Sequence, residues 1–177
     1  MRKQSLLCAS TASIAAIAII AILATPVALA ASTAQAYKVL GMGVAVEQPG
    51  GDPHRSRIGF LAIVNSTDEG SSQLSIRRGL IVINDEGSPV RYQMVPDTWH
   101  GIVHNNGKGF DAEGKASDAD GNLYNVKLKA DEIRETSRGA LIQIEAGFSG
   151  QGEHYDITYL ALLSRVVRER PAQESQG

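Results

Sequence analysis

Between residues 37 and 163, apolar residues recur at every second position in short runs, and each run ends at a polar or glycine-containing break. Successive side chains of a β-strand point to opposite faces, so this period of two predicts strands, whereas a helix requires a period of 3.6. No window shows a convincing long amphipathic helix. The sequence therefore predicts an all-β fold, an antiparallel β-sandwich or β-barrel of about eight strands, preceded by an N-terminal signal helix.

The predicted strands differ in how their two faces are composed. Ile58–Asn65 is apolar on both faces, which predicts a central strand covered on both sides. Tyr37–Glu47 has one apolar face and one face of small residues that suits close packing. The apolar face holds Leu40, Met42, Val44 and Val46, and the small face holds Gly41, Gly43 and Ala45. The other clear strands are Leu74–Asn84, Phe110–Ser117, Asn122–Lys129, Ala140–Phe148 and Tyr155–Leu163.

Three irregular segments lie within or between these strands. Arg77-Arg78-Gly79 interrupts its strand and predicts a bulge or a break. Asp120-Gly121 separates two strands and predicts a two-residue hairpin. Residues 131–138 are expected to form either one short helical turn or the outer end of a hairpin.

The first 30 residues have the three parts of a secretion signal. Arg2 and Lys3 are followed by the apolar run Ile14–Ala24 and then by small residues, which predicts cleavage before Ala31 or, alternatively, before Tyr37. An uncleaved membrane anchor is the other interpretation, but Pro26 disfavours it. The sequence thus predicts a signal peptide at 1–30, a β-rich domain at 37–167 that is secreted or lies in the cell envelope, and a disordered polar tail at 168–177.

Cysteine content and charge limit the chemistry of the exported domain. Cys8 is the single cysteine and precedes the apolar run, so we expect neither lipid attachment nor a disulfide, a cysteine nucleophile or a thiolate metal site. Removing residues 1–36 takes away two basic residues and no acid, which changes the net charge from −2 to −4. This mild negative charge, without a basic stripe, argues against nucleic acid as a partner.

His100 and His104 are the candidate metal ligands. On one helical turn, residues four apart can reach the same ion, whereas on a strand they stand about 13 Å apart. His54, His154 and Asp97 would complete such a site only if the fold brings them close. These residues support a metal-dependent hydrolase as one hypothesis.

Two further motifs fail as binding sites. Asp111, Glu113, Asp118 and Asp120 form an acidic stretch, but the position that needs a bidentate glutamate in a calcium loop is Lys127. Residues 109–116 nearly match a phosphate-binding loop, yet the motif ends in alanine and its acids would repel phosphate. We therefore expect no cofactor.

Two single residues remain as candidate sites. Asn65 begins the N-glycosylation acceptor sequence Asn-Ser-Thr in a predicted turn. Trp99 lies beside His100 and is a candidate ligand contact at a pocket mouth, although a core position is commoner for tryptophan.

The sequence contains no catalytic signature, so an enzyme is not the favoured interpretation. The leading hypothesis is a non-catalytic secreted or cell-envelope domain that binds a protein or envelope partner or joins a surface assembly, including a homo-oligomer. Exposed apolar residues on a sheet edge would support assembly by strand addition. The alternative is a small-ligand carrier with a cavity inside a barrel. Membrane contact is expected only through the N-terminal segment, if it is not cleaved.

Overall fold

Alternating burial along almost every segment gives an all-β structure, as predicted. The computed structural model describes residues 34–66, 72–85 and 88–166. All strand pairs are antiparallel, and one short 3-10 turn lies at Asn105–Gly107. The nine strands are β1 (Ala34–Glu47), β2 (Pro53–Ser66), β3 (Ser72–Asp85), β4 (Ser88–Met94), β5 (His100–His104), β6 (Gly109–Ser117), β7 (Leu123–Thr136), β8 (Gly139–Gly150) and β9 (Glu153–Arg165).

The strands form a single sheet whose hydrogen bonding closes into a ring. β1 pairs with β2 on one side and with β9 on the other. Strands β4 and β5 both lie between β3 and β6, at opposite ends of these strands, so the nine strands fill eight positions in the ring. Each described strand therefore has a neighbour on both sides. This is the closed alternative of the sequence analysis, one sheet rather than two packed sheets.

The interior of the ring is the hydrophobic core. A buried hydrogen-bonded pair lies within it, because the Tyr159 hydroxyl is 2.9 Å from Ser56 Oγ, which donates to the Val82 carbonyl at 3.0 Å. Burial raises the pKa of Tyr159. The inward-facing apolar side chains at mid-height include Val39, Ile58, Phe60, Ile76, Ile81, Met94, Ala112, Leu128, Ile144 and Ala161.

One end of the ring, here called the aromatic end, is filled by rings from four strands. Tyr92, Tyr124, Phe148 and Tyr155 meet there, with the Phe148 ring centroid 4.5 Å from that of Tyr92 and 4.8 Å from that of Tyr124. The Tyr92 hydroxyl donates to Glu153 Oε2 at 3.4 Å. Burial and the neighbouring Glu153 carboxylate raise the pKa of Tyr92. All four aromatic residues are buried, so their rings pack this end of the core.

Several local predictions can be compared with the strands. The register of β3 shifts beside Arg77, which confirms the predicted bulge. Residues 131–136 continue β7, so the hairpin alternative for this segment is correct. The connection around Asp120-Gly121 spans five residues, 118–122, and not two, because the Asp118 carboxylate organises a wider turn.

The two faces of β1 and β2 differ from expectation. The small face of β1 points inward, and Leu40, Met42 and Val44 are exposed on the outside. The outward residues of β2, such as Leu61 and Ile63, are only partly buried, and no second layer covers them among the described residues. The prediction of a strand covered on both sides is therefore wrong for β2.

The predicted signal peptide at 1–30 and the predicted disordered tail at 168–177 lie outside the described residues. Ala34, Gln35 and Ala36 pair with β2, so cleavage before Tyr37 would remove paired residues of β1. Within the described ranges, no helix has the length and apolarity needed to cross a membrane.

Candidate functional site

The end of the ring opposite the aromatic end contains a recess of about 420 Å³. Its floor is apolar and buried, with Phe60 and Phe110 in edge-to-face contact at a centroid distance of 6.2 Å. Its upper wall is partly exposed. The apolar lining comes from eight of the nine strands and comprises Phe60, Ala62, Val64, Leu74, Val103, Phe110, Ala130, Ile142 and Leu163, with the ring of Tyr37 from β1. We call this recess the open-end cavity.

The alternation of side chains along each strand explains why these residues line the same cavity. Val64 lies four residues after Phe60 on β2, and Ala130 continues the inward set of Tyr124, Val126 and Leu128 on β7. Because alternate side chains of a strand share a face, each of these eight strands adds one to three apolar groups to the same end of the ring. The cavity therefore follows from ring closure and not from any contiguous motif.

Polar groups surround the rim of the open-end cavity. The Tyr37 hydroxyl donates to Gln35 Oε1 at 2.7 Å. The hydroxyl groups of Ser66 and Ser72, at the facing ends of β2 and β3, are 3.4 Å apart. These groups can bind the polar end of a ligand whose apolar body occupies the cavity. Small-molecule pockets usually combine apolar walls with a few polar groups in this way.

Glu132 supplies a carboxylate to the rim. It keeps the inward parity of β7, and its side chain is only 14% exposed. Lys108 approaches it from the 3-10 turn region, with Nζ 3.9 Å from Oε1, and the Glu132 backbone N–H donates to the Lys108 carbonyl at 2.7 Å. A partly desolvated carboxylate at an apolar mouth favours a ligand with a hydrogen-bond donor or a positive charge at one end.

The two candidate metal ligands are not brought together. His100 and His104 are the first and last residues of strand β5, so they have the strand spacing of about 13 Å and not a shared helical turn. Each contacts a different carboxylate of β6: His100 Nε2 is 3.1 Å from Glu113 Oε1, and His104 Nε2 is 3.5 Å from Asp111 Oδ2. The helical geometry on which the metal hypothesis depends is therefore absent here.

The residues considered as additional ligands are also dispersed. His154 lies on β9 near Asp156, with 3.9 Å between Nε2 and Oδ1, and Asp97 contacts Arg77 at 3.4 Å. His54 lies on β2 opposite Ala45, towards the aromatic end. Across the described ranges, no group of three or more His, Cys, Asp and Glu side chains could hold a metal ion.

The remaining candidates from the sequence lie in the core or within strands. Trp99 is 4% exposed and its indole N–H donates to the Lys115 carbonyl at 3.0 Å, which places it in the core and not at the open-end cavity. Asn65 lies within β2, paired with Ala34 and Gln73, and not in a turn as expected. Residues 109–116, the near match to a phosphate-binding loop, belong to β6.

Sequence reasoning missed the residues that line the rim. Glu132 extends the inward set of β7 by one step past its apolar residues, a signal that was available in the sequence. Tyr37 belongs to the small face of β1, and only the structure shows that this face points inward. His104 contributes to the rim through its position beside the 3-10 turn and not through metal spacing. What no local pattern could show is that these positions meet at the same end of a closed ring.

Comparison with known proteins adds no family assignment. No protein-family model matches the chain, and a search of curated proteins finds no match.

Proposed function

We propose that this protein is a non-catalytic small-ligand carrier that acts outside the cytoplasm. The ligand binds in the open-end cavity with its apolar body against Phe60 and Phe110. Its polar or basic end lies at the rim, near Glu132 and Tyr37. The location outside the cytoplasm rests on the secretion signal expected from residues 1–30.

The observation that carries this proposal is the contrast between the two ends of the ring. Aromatic rings fill one end, whereas the other has about 420 Å³ of space lined by apolar side chains. Cavities of about 300–1,000 Å³ with apolar walls and a few polar groups are typical of small-molecule sites. Burying apolar ligand surface contributes about 25 cal/mol per Å², so an apolar molecule of matching size gains most of its affinity from the walls.

Titration with a neutral apolar fluorophore, N-phenyl-1-naphthylamine, tests the proposal. We expect saturable binding of one probe per chain with a rise in fluorescence. Val64→Trp should lower the affinity at least tenfold, since its indole ring occupies the cavity that the partly buried Val64 side chain lines.

Ile63→Trp is the matched control. Ile63 is adjacent on β2 but faces outward, so the same substitution adds the same ring to the outside of the molecule. We expect unchanged probe binding in this variant, with thermal unfolding showing that both variants are folded. Equal affinity of both variants, or no saturable binding by the natural chain, would contradict the proposal.

Partner binding is the second candidate function, and the exposed apolar residues on the outside of β1 and β9 favour it. Strand addition has little room in this structure, because every described strand has a neighbour on both sides over part of its length, although β4 pairs with β6 through Gln93 and Met94 alone. A partner would instead contact a face of the ring.

A further inference from the structure

The outside of the ring carries an exposed apolar surface on β1 and its neighbours. Met42 is 69% exposed, Leu40 and Leu160 are each 54% exposed, and Val44 is 47% exposed. Leu80 on β3 adds a fifth exposed side chain. We call these five residues the apolar face.

The apolar face is continuous across several strands. Met42 lies directly opposite Leu160 of β9 in the register. Leu40 lies opposite Gly59 of β2, and Gly59 lies opposite Leu80 of β3. A Cβ atom built on Gly59 would come within 3.2 Å of Leu40 Cδ2, which shows that the Leu40 side chain lies over this glycine. The lack of a side chain at Gly59 thus lets the leucines of β1 and β3 approach each other.

Cations alone flank this surface on the side of β2, β3 and β4. In the register, Met42 is opposite Arg57, Arg57 is opposite Val82, and Val82 is opposite Arg91. Strands β1 to β4 carry their acids only as the last residues of β1 and β3, Glu47 and Asp85. The exposed cations of these strands are Lys38, Arg55, Arg57, Arg77, Arg78 and Arg91. Arg77 pairs with Asp97 at 3.4 Å, and within the described part of the chain none of the other five forms an ion pair. We call Arg55, Arg57 and Arg91 the basic flank.

The opposite wall of the ring is different. Outward residues of β6 to β8 alternate in sign: Glu113 lies opposite Lys127, and Asp111 lies opposite Lys129, which lies opposite Glu145. Such alternation neutralises the field within the wall. The side of the molecule with the apolar face and the basic flank is therefore apolar and positively charged, whereas the opposite wall carries charges of both signs.

We propose that the apolar face and the basic flank dock this protein on an anionic lipid surface. Apolar side chains enter the boundary between headgroups and acyl chains, while arginines bind the phosphate groups beside them. A second copy of the chain fits less well, since isologous contact through this face would bring the two basic flanks towards each other. The proposal does not depend on a ligand in the open-end cavity.

A fluorescent label on the face provides the test in the full chain. In a Cys8→Ser background, Met42→Cys is labelled with nitrobenzoxadiazole and mixed with vesicles of phosphatidylglycerol and phosphatidylcholine in equal parts. We expect a blue shift, a severalfold increase in emission and quenching by doxyl lipids. Phosphatidylcholine vesicles should produce little change.

A label outside the apolar face distinguishes docking from attachment through the N-terminal segment. Ile102→Cys is a matched site because Ile102 is also apolar and is 63% exposed on β5. The emission of the label at position 102 should not change with vesicles. Attachment through residues 1–33 alone would not change the emission at position 42 more than that at position 102.

Charge removal completes the test. The triple substitution Arg55→Gln, Arg57→Gln and Arg91→Gln should weaken vesicle binding at position 42 roughly 100-fold, about fivefold for each cation. Equal responses at positions 42 and 102, or a response that survives in neutral vesicles, would overturn the proposal. So would a concentration-dependent blue shift at position 42 without lipid, which would identify a second copy as the occupant.

Discussion

At the scale of single residues, Gly114 provides the space that the Trp99 side chain occupies in the wall of the β-sheet ring. A Cβ atom at Gly114 would overlap the indole ring of Trp99, with Cγ at 2.6 Å and Cε2 at 2.8 Å. Trp99 cannot move away freely, because it is buried and its indole N–H donates to the Lys115 carbonyl. A glycine is therefore required at position 114 because the Trp99 indole packs against it, and not because the chain turns there.

Gly114→Ala should lower the free energy of unfolding by about 1–3 kcal/mol, the usual cost of inserting a methyl group into a packed site. Urea denaturation monitored by far-UV circular dichroism measures this change. Gly147→Ala on β8 is the control, since a Cβ atom there meets nothing within 4 Å and should change stability by less than about 0.5 kcal/mol. Equal effects of the two substitutions would show that packing on Trp99 is not the cause.

At the scale of elements, the connection between β6 and β7 is organised by the Asp118 carboxylate. It accepts hydrogen bonds from the backbone N–H groups of Asp120 at 3.0 Å and Asn122 at 2.9 Å, and from the Asn122 side-chain amide at 2.9 Å. The Tyr124 hydroxyl also donates to it, at 3.3 Å. These bonds, led by that of the Asn122 amide, hold the pKa of Asp118 below its ordinary value of 3.8.

Asp118 should make the stability of the protein dependent on pH in the acid range. Because the folded-state pKa is lowered, the stabilising contribution is present above pH 3.8, the ordinary value, and is lost as the pH falls through the folded-state pKa. The melting temperature of Asp118→Ala should therefore lie below that of the natural chain at pH 7, and the gap should narrow as the pH falls below 3.8.

Asp120→Ala is the control for this pH dependence, since it removes the exposed carboxylate of the same turn. Its melting temperature should follow that of the natural chain from neutral to acid pH. A gap between the natural chain and Asp118→Ala that stays constant with pH would mean that the carboxylate charge does not stabilise this turn.

At the scale of the whole molecule, the ring is packed from its aromatic end to mid-height and open at the other end. Buried aromatic side chains pack the aromatic end, while the open-end cavity leaves apolar walls such as Val64 and Leu163 partly exposed to water. A ligand that covers these walls binds the folded chain and not the unfolded chain. Binding should therefore stabilise the fold by mass action.

Saturating N-phenyl-1-naphthylamine should raise the melting temperature of the natural chain. At a free probe concentration 100 times Kd, the expected stabilisation is about 2.7 kcal/mol. Differential scanning calorimetry with and without the probe measures the shift. At the same probe concentration, Val64→Trp should show about half of this stabilisation or less, because its affinity is at least tenfold lower, whereas Ile63→Trp should show the full shift. A shift of the same size in both variants would place the probe outside the cavity.

Much of the secondary structure was predictable because strand formation depends on local alternation. The inward sets Val126, Leu128 and Ala130 on β7 and Ile157, Tyr159 and Ala161 on β9 are visible in the sequence as a period of two. The bulge beside Arg77 was also predictable, since Arg-Arg-Gly breaks the alternation. Strands β4 and β5 were not predicted. The five residues of β5 are too few to establish a pattern, whereas β4 carries a period of two at Val90, Tyr92 and Met94 that was available in the sequence.

The sequence by itself determined which residues share a face, and the tertiary structure decided which face is the inside. In β1 the apolar set led by Met42 competes with a set of small residues, and hydrophobicity alone favours burying the former. The ring buries the small set instead, and the Thr158 carbonyl and the Tyr159 side chain of β9 both come so close to Gly43 that a Cβ atom there would overlap them. Closure of the ring therefore left the leucines and Met42 on the surface.

The tertiary structure also decided which residues form the candidate site. Tyr37, Val64, Phe110, Glu132 and Leu163 are spread over most of the chain, and no spacing in the sequence relates them. They meet because antiparallel pairing brings the start of β1, the end of β2 and the end of β9 to one end of the ring. Alternation is a property of neighbouring residues and can be read locally, whereas a cavity depends on which strands are paired and where the sheet closes.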